Sequence, residues 1–144
     1  MAKQRSKSSE SPASGLLFSE DHTWVRLEGE RAYIGLSDYA QRDLGEIIAA
    51  ELPDVGERIE AGEPFGELES KRTVQELIAP VSGTVTAVNT EIESNPAIIN
   101  EDPYDEGWLV EVELADEEEL DELMGVDEYE EFVAEEDEEE EDEE

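Results

Sequence analysis

The sequence predicts a mainly β fold, a small sandwich or flattened barrel of antiparallel sheets with short helices near the C-terminal end. Three observations carry this expectation. Short runs with alternating apolar positions recur from Thr23 to Leu114. Gly and Pro punctuate them at Gly29, Pro53, Gly56, Gly62, Pro64, Pro80 and Gly83, where strands would turn. Beyond Ala115 the apolar spacing changes from that of a strand to that of a helix. A chain of 144 residues holds one such domain with tails, since domains commonly run to about 100–150 residues.

The elements follow in order. His22 to Leu36 reads as a hairpin, with Trp24 and Val25 in one strand, Tyr33, Ile34 and Leu36 in the next, and Glu28-Gly29-Glu30 at the turn. Ser37 or Asp38 can cap a short helix that runs through Leu44 and ends at Gly45. Glu46 to Leu52 is the next strand, and Arg58 to Pro64 a short edge segment. Phe65–Ser70 and Thr73–Ile78 alternate as half-buried strands do, and Thr84 to Asn89 forms another. Asn95 to Gly107 reads as a loop before a strand from Trp108 to Leu114. Asp116 three residues before Glu119 is a helix-start pairing, and Asp127 with Glu130 opens a second short helix with Tyr129, Phe132 and Val133 on one face. Residues 16–133 thus form the domain. Residues 1–15 are too polar, and residues 134–144 too uniformly acidic, to be expected to order.

Composition removes several kinds of chemistry. There is no cysteine, so disulfides, thiolate metal sites and cysteine nucleophiles are excluded. With His22 the one histidine, no metal site is expected. No apolar run approaches the roughly 18 residues that cross a bilayer, and the N-terminus lacks the apolar core of a secretory signal. The net charge of −35 repels nucleic-acid phosphate and anionic lipid, so neither is an expected partner. Acid spread over the whole chain, with few lysines, is the pattern of a cytoplasmic protein adapted to high salt, where ions screen carboxylate repulsion. An acidic protein that recruits basic partners is the competing reading. Carboxylates are too abundant for any pair to be singled out as general acid and base. His22 has no Ser or Cys nucleophile beside it and reads as structural. Trp24, Tyr33, Phe65 and Trp108 read as core or sheet-face residues.

Only Lys3, Lys7 and Lys71 are lysines, and Lys71 alone lies in the domain. It falls in Glu69-Ser70-Lys71-Arg72, between two predicted strands with no Gly, Pro or Asn to make the turn. A lysine at a hairpin tip suits covalent attachment of an acyl cofactor, because its flexible stem carries an amine able to attack an activated acyl group. A basic residue that merely blunts an exposed turn is the ordinary alternative.

Glu20–Val25 (EDHTWV), Ile34–Gln41 (IGLSDYAQ), Leu44–Ile48 (LGEII), Leu52–Gly56 (LPDVG), Glu69-Ser70, Ala79–Gly83 (APVSG), Val88-Asn89, Asn100–Tyr104 (NEDPY) and Gly107-Trp108 resemble the glycine cleavage H protein family, in order and spacing, from about Leu17 to Val133. The resemblance implies a lipoyl/biotinyl-type fold. It also implies a non-catalytic carrier bearing covalently attached lipoate on a hairpin lysine. Such a carrier shuttles an aminomethyl group between a decarboxylating glycine dehydrogenase, an aminomethyltransferase and a dihydrolipoyl dehydrogenase, after loading by a lipoate–protein ligase. A cytoplasmic monomer is expected. The family's hairpin reads Glu-Ser-aliphatic-Lys; counted without gaps from Leu52-Pro53 or back from Ala79-Pro80, the lysine position falls on Arg72. A guanidinium stays protonated and delocalised and does not replace an amine as acyl acceptor. Two outcomes follow: either Lys71 takes the attachment, within a site formed by Glu69, Ser70 and Arg72, if the turn aims its side chain outward, or the chain is an unlipoylated H-like paralogue. The residues Thr73-Val-Gln-Glu also depart from the small residues and Asp usual beyond the family's lysine, and the Met-Lys-Met setting of biotinyl domains is absent. An unlipoylated H-like scaffold, and a carrier in another lipoate-dependent pathway such as sulfur oxidation, remain open.

Overall fold

Two antiparallel sheets face each other across one core. A computed structural model describes residues 15–142; residues 1–14 of the expected N-terminal tail and 143–144 of the acidic tail lie outside them. The strands are β1 (Leu17–Phe18), β2 (Thr23–Glu28), β3 (Arg31–Leu36), β4 (Ile47–Glu51), β5 (Arg58–Ile59), β6 (Pro64–Ser70), β7 (Val74–Ile78), β8 (Gly83–Val88) and β9 (Val110–Leu114). One sheet has six strands in the order β1-β2-β3-β9-β8-β5, and the other has three, β4-β6-β7. This is the sandwich that the alternation predicts, with the Arg58 segment on an edge as expected.

Alternation decides what each strand buries. Val25, Ile34, Val85, Val110 and Val112 of the large sheet meet Ile47, Phe65, Leu68 and Leu77 of the small one, and Leu44 closes the core from the helix α1 (Asp38–Leu44). Ser37 caps α1 by accepting the Ala40 N–H. Gly45 ends the helix at φ 86°, a left-handed conformation that a Cβ would strain. On the opposite face of β2, Trp24 joins Leu16, Phe18, Met124 and Tyr129 in a second apolar cluster. There β1 is tied to the C-terminal segment by reciprocal bonds between Phe18 and Met124, at 2.7 and 2.8 Å.

Three expectations need correction. The stretch from Asn95 to Gly107, read as a loop, holds helix α3 (Ala97–Glu101), and helix α2 (Thr90–Ser94) precedes it. Both are too short for periodicity to reveal, yet each buries one isoleucine, Ile92 and Ile99, and Asn89 caps α2. The segment after Asp116 is a 3-10 helix, Glu117–Glu122, rather than an α-helix opened by an Asp116–Glu119 pair. Asp116 does cap, accepting the Glu118 N–H at 3.0 Å. Glu119 instead reaches across to Ser82, accepting its backbone N–H at 2.6 Å and its hydroxyl at 2.9 Å. Finally, the helix expected to stop at Val133 is α4 (Val126–Asp142), which runs on into the acidic stretch. Glutamate is a strong intrinsic helix former, and the first turn of α4 carries Asp127 and Glu128, which the helix dipole favours there.

Candidate functional site: the β6–β7 hairpin tip

β6 and β7 pair through Glu69↔Val74, and the chain reverses across Ser70-Lys71-Arg72-Thr73. Two-residue hairpin loops usually need glycine or asparagine at positive φ. Here His22 is the one non-glycine residue with positive φ among those described, so Lys71 and Arg72 turn the chain without it. Ser70 makes this possible. Its backbone N–H donates to Thr73 O at 2.8 Å, and its Oγ accepts the N–H groups of Arg72 and Thr73, both at 3.1 Å. A buried serine thereby satisfies two backbone donors of the turn, each bond contributing about 1 kcal/mol. The serine of the Glu69-Ser70 motif is thus a structural requirement of the turn.

The two cations at the tip have different surroundings. Lys71 is anchored through its backbone, its N–H donating to Glu46 O at 3.2 Å, while its side chain is 67% exposed. Its Nζ lies 3.0 Å from Glu46 Oε1, itself on a side chain 59% exposed. An exposed ion pair of this kind is worth roughly 0–1 kcal/mol, so the amine is held near Glu46 yet released at little cost. Arg72 lies flat against Gly45: a Cβ there would come within 3.0 Å of Nη2 and 3.1 Å of Nε. Gly45 therefore ends α1 and also makes room for the guanidinium. Glu69 is exposed on the outer face of β6, paired with Ala49 and Val74.

Sequence reasoning selected Glu69, Ser70, Lys71 and Arg72, and the hairpin brings all four together. It missed Glu46 and the second role of Gly45. The turn's lack of glycine signals a side-chain cap such as Ser70, but nothing in the sequence points across 25 positions to Glu46. Beside β7 lies a cleft of about 140 Å³, with Leu36, Leu44 and Leu77 among its lining residues and the carboxylates of Asp21, Asp43 and Glu76 around them. That lining suits a short apolar group ending in a cation and repels an anion. His22 also borders the cleft, but its Nδ1 lies 2.7 Å from Tyr129 Oη, which is 2.7 Å from Ser37 Oγ. Among the described residues no cluster of His, Cys, Asp or Glu could hold a metal ion. No described helix is long and apolar enough to cross a membrane.

The Glycine cleavage H-protein family model matches residues 16–136. The chain belongs to the glycine cleavage H-protein family. It is 50% identical over 121 residues to the glycine cleavage system H protein of Halalkalibacterium halodurans, covering 84% of this chain and 94% of that one. It is 52% identical over 120 residues to the H protein of Brevibacillus brevis, covering 83% and 95%. The crystal structure of the Mycobacterium marinum glycine cleavage system H protein superposes with a TM-score of 0.73 at 36% identity, over 81% of this chain and 94% of that one.

H proteins are the lipoyl carriers of the glycine cleavage system. They bear lipoate covalently, have no catalytic activity of their own, and work with glycine dehydrogenase, aminomethyltransferase, dihydrolipoyl dehydrogenase and the lipoate ligase. The hairpin fits covalent lipoate in one respect that geometry can test: an exposed primary amine stands at its tip, and it is Lys71, one position before the place where H proteins carry lysine.

Proposed function

We propose that Lys71 is the residue that bears lipoate, so that this chain serves as the aminomethyl carrier of its glycine cleavage system. The observation that supports this most directly is the exposure of the Lys71 side chain at the hairpin tip. In loading, Lys71 Nζ attacks the carboxyl carbon of an activated lipoyl donor. Before attack the ammonium gives up one proton to free its lone pair; an amide bond then forms, the bond from that carbon to its activating group breaks with its electron pair, and the nitrogen loses its second proton. Glu46, at 3.0 Å, is placed to take the first of these protons. Once bound, lipoate supplies a disulfide that can be reduced and can carry an aminomethyl group. The protein's own task is to hold the tip rigidly, through Ser70 and the Lys71 N–H···Glu46 bond, while the lysine stem stays free to swing.

Mass spectrometry of the chain purified from its own cell tests this. A lipoyl increment mapped to Lys71 is the expected result. An unmodified chain from cells that lipoylate other proteins would remove the carrier reading and leave the H-like scaffold.

The same reading makes the chain a cytoplasmic monomer, its 16–133 domain a single carrier unit, and its −35 charge an adaptation to high salt. Self-repulsion at that charge keeps copies apart and opposes compaction, and molar salt shortens its range to about 3 Å. Circular dichroism should therefore show loss of structure in dilute buffer and recovery in molar KCl. Full structure at low salt would contradict the salt adaptation.

A further inference from the structure

A base that serves an exposed lysine has no packing to fix its side chain and must be placed by its backbone. Glu46 is such a residue. Its side chain is 59% exposed, yet its carboxylate lies 3.0 Å from Lys71 Nζ and its carbonyl accepts the Lys71 N–H at 3.2 Å. It stands between Gly45 and Ile47, where the chain leaves α1 and enters β4. A glutamate stem turns about several bonds, so the reach of its carboxylate is set by where the chain puts its Cα.

Both neighbours of Glu46 are held by one side chain from a distant element. Asn100, in α3, donates from Nδ2 to Gly45 O at 2.9 Å and accepts the Ile47 N–H on Oδ1 at 2.9 Å. Its Nδ2 also donates to Gln41 Oε1 at 2.8 Å, and Gln41 Nε2 donates in turn to Asp38 Oδ1 at 2.8 Å. Gln41 is buried, and Ile99, next to Asn100, is fully buried, so the clamp is anchored at both ends. The amide thus spends both its donor and its acceptor atoms on the stretch from Gln41 to Ile47. A side chain without polar atoms would hold none of it. Aspartate would keep the Ile47 bond but set an acceptor against two acceptors. Arg72 depends on the same turn, since it lies against Gly45.

We infer that Asn100 is a positioning residue for lipoyl loading: by clamping Gly45 and Ile47 it sets Glu46 where its carboxylate takes the proton that frees the Lys71 lone pair. The inference rests on the proposed function, with Lys71 as acceptor and Glu46 as the group that takes its proton. Asn100 touches neither reacting atom and belongs to the turn behind Glu46, so it acts on the transfer step and not on capture of the chain by the ligase. A reacting group misplaced by about 1 Å costs on the order of 100-fold in rate, which makes transfer the sensitive readout.

Single-turnover transfer to the full-length chain from ligase preloaded with lipoyl-adenylate, in molar KCl, tests this. Asn100→Leu keeps the bulk of the side chain and removes its polar atoms. It should lower the maximal rate by about tenfold or more and leave the chain concentration at half-maximal rate within about twofold. Asn100→Asp, which keeps one bond of the three, should show the same split and serves if the first variant does not fold. Thermal unfolding in the same salt establishes that each variant is folded. The decisive comparison is with Glu46→Gln: once that carboxylate is gone, adding Asn100→Leu should change the maximal rate by less than about twofold. An equal fall in both backgrounds would mean that Asn100 only supports the fold, and would overturn the inference. Unchanged transfer in both Asn100 variants would do the same. Mass mapping of the unaltered chain separates the two levels. Absence of lipoyl at residue 71 removes Lys71 as acceptor and this inference with it, whereas lipoyl at residue 71 with no effect of Asn100 removes the inference alone.

Discussion

Lys71→Arg is expected to abolish lipoyl incorporation, taking the mass increment to zero under conditions where the unaltered chain is modified. The substitution keeps the positive charge beside Glu46 and the stem length, so the ion pair and the turn survive. It removes only the nucleophilic amine, which a guanidinium does not replace. Lys3 and Lys7 then test specificity, since they are the other lysines in the chain and lie outside the domain. The double variant Lys71→Val, Arg72→Lys restores the family's order of aliphatic residue then lysine, and it is expected to be modified at residue 72. A tip residue moved by one position aims its side chain in a different direction. The rates of the unaltered chain and the double variant therefore report how far the ligase tolerates that shift. Persistent modification of Lys71→Arg, mapped to Lys3 or Lys7, would show that the acceptor lies elsewhere.

How much of this was legible in the sequence depends on the range of the interaction. The α1 helix was readable because its signals are local: Ser37 caps it and Gly45 stops it. The β2–β3 hairpin was readable for the same reason, since Gly29 and the apolar clusters on either side of it act over a few residues. The short helices α2 and α3 were not, because each exists to bury one isoleucine in a core that only the assembled sheets create. Glu119 misled for a related reason. Its spacing from Asp116 is that of a capping pair, but Ser82, far away in sequence, offers its carboxylate two donors at once. At the site, the lysine stood out by rarity, whereas Glu46 was one of 44 acids and only the fold distinguishes it. Abundance hides function where scarcity reveals it.

The largest stability loss is expected from Trp24→Ala, which should cost about 3–5 kcal/mol, a large part of the roughly 5–15 kcal/mol that holds a domain folded. Trp24 is fully buried, and its Nε1 donates to Pro103 O at 2.9 Å. Its ring packs so closely on Gly35 that a Cβ there would come within 2.4–2.7 Å of it. Removing the indole leaves a cavity between two strands and the Pro103 loop, with an orphaned carbonyl at its edge. Trp24→Phe separates the two losses: it keeps most of the apolar volume and should cost less, the remainder reflecting the missing N–H donor. The effect should reach the hairpin indirectly. Tyr104, next to Pro103, accepts the Asp38 N–H at 2.9 Å, and Asp38 opens the helix that ends at Gly45. Burial raises the Tyr104 phenol above its usual pKa, so the hydroxyl stays neutral at that helix start. Urea unfolding measures the loss. If Trp24→Ala lies within about 1 kcal/mol of the unaltered chain, the indole is not the anchor of this loop. The path from Pro103 through α1 to the β6–β7 hairpin would then carry no measurable coupling.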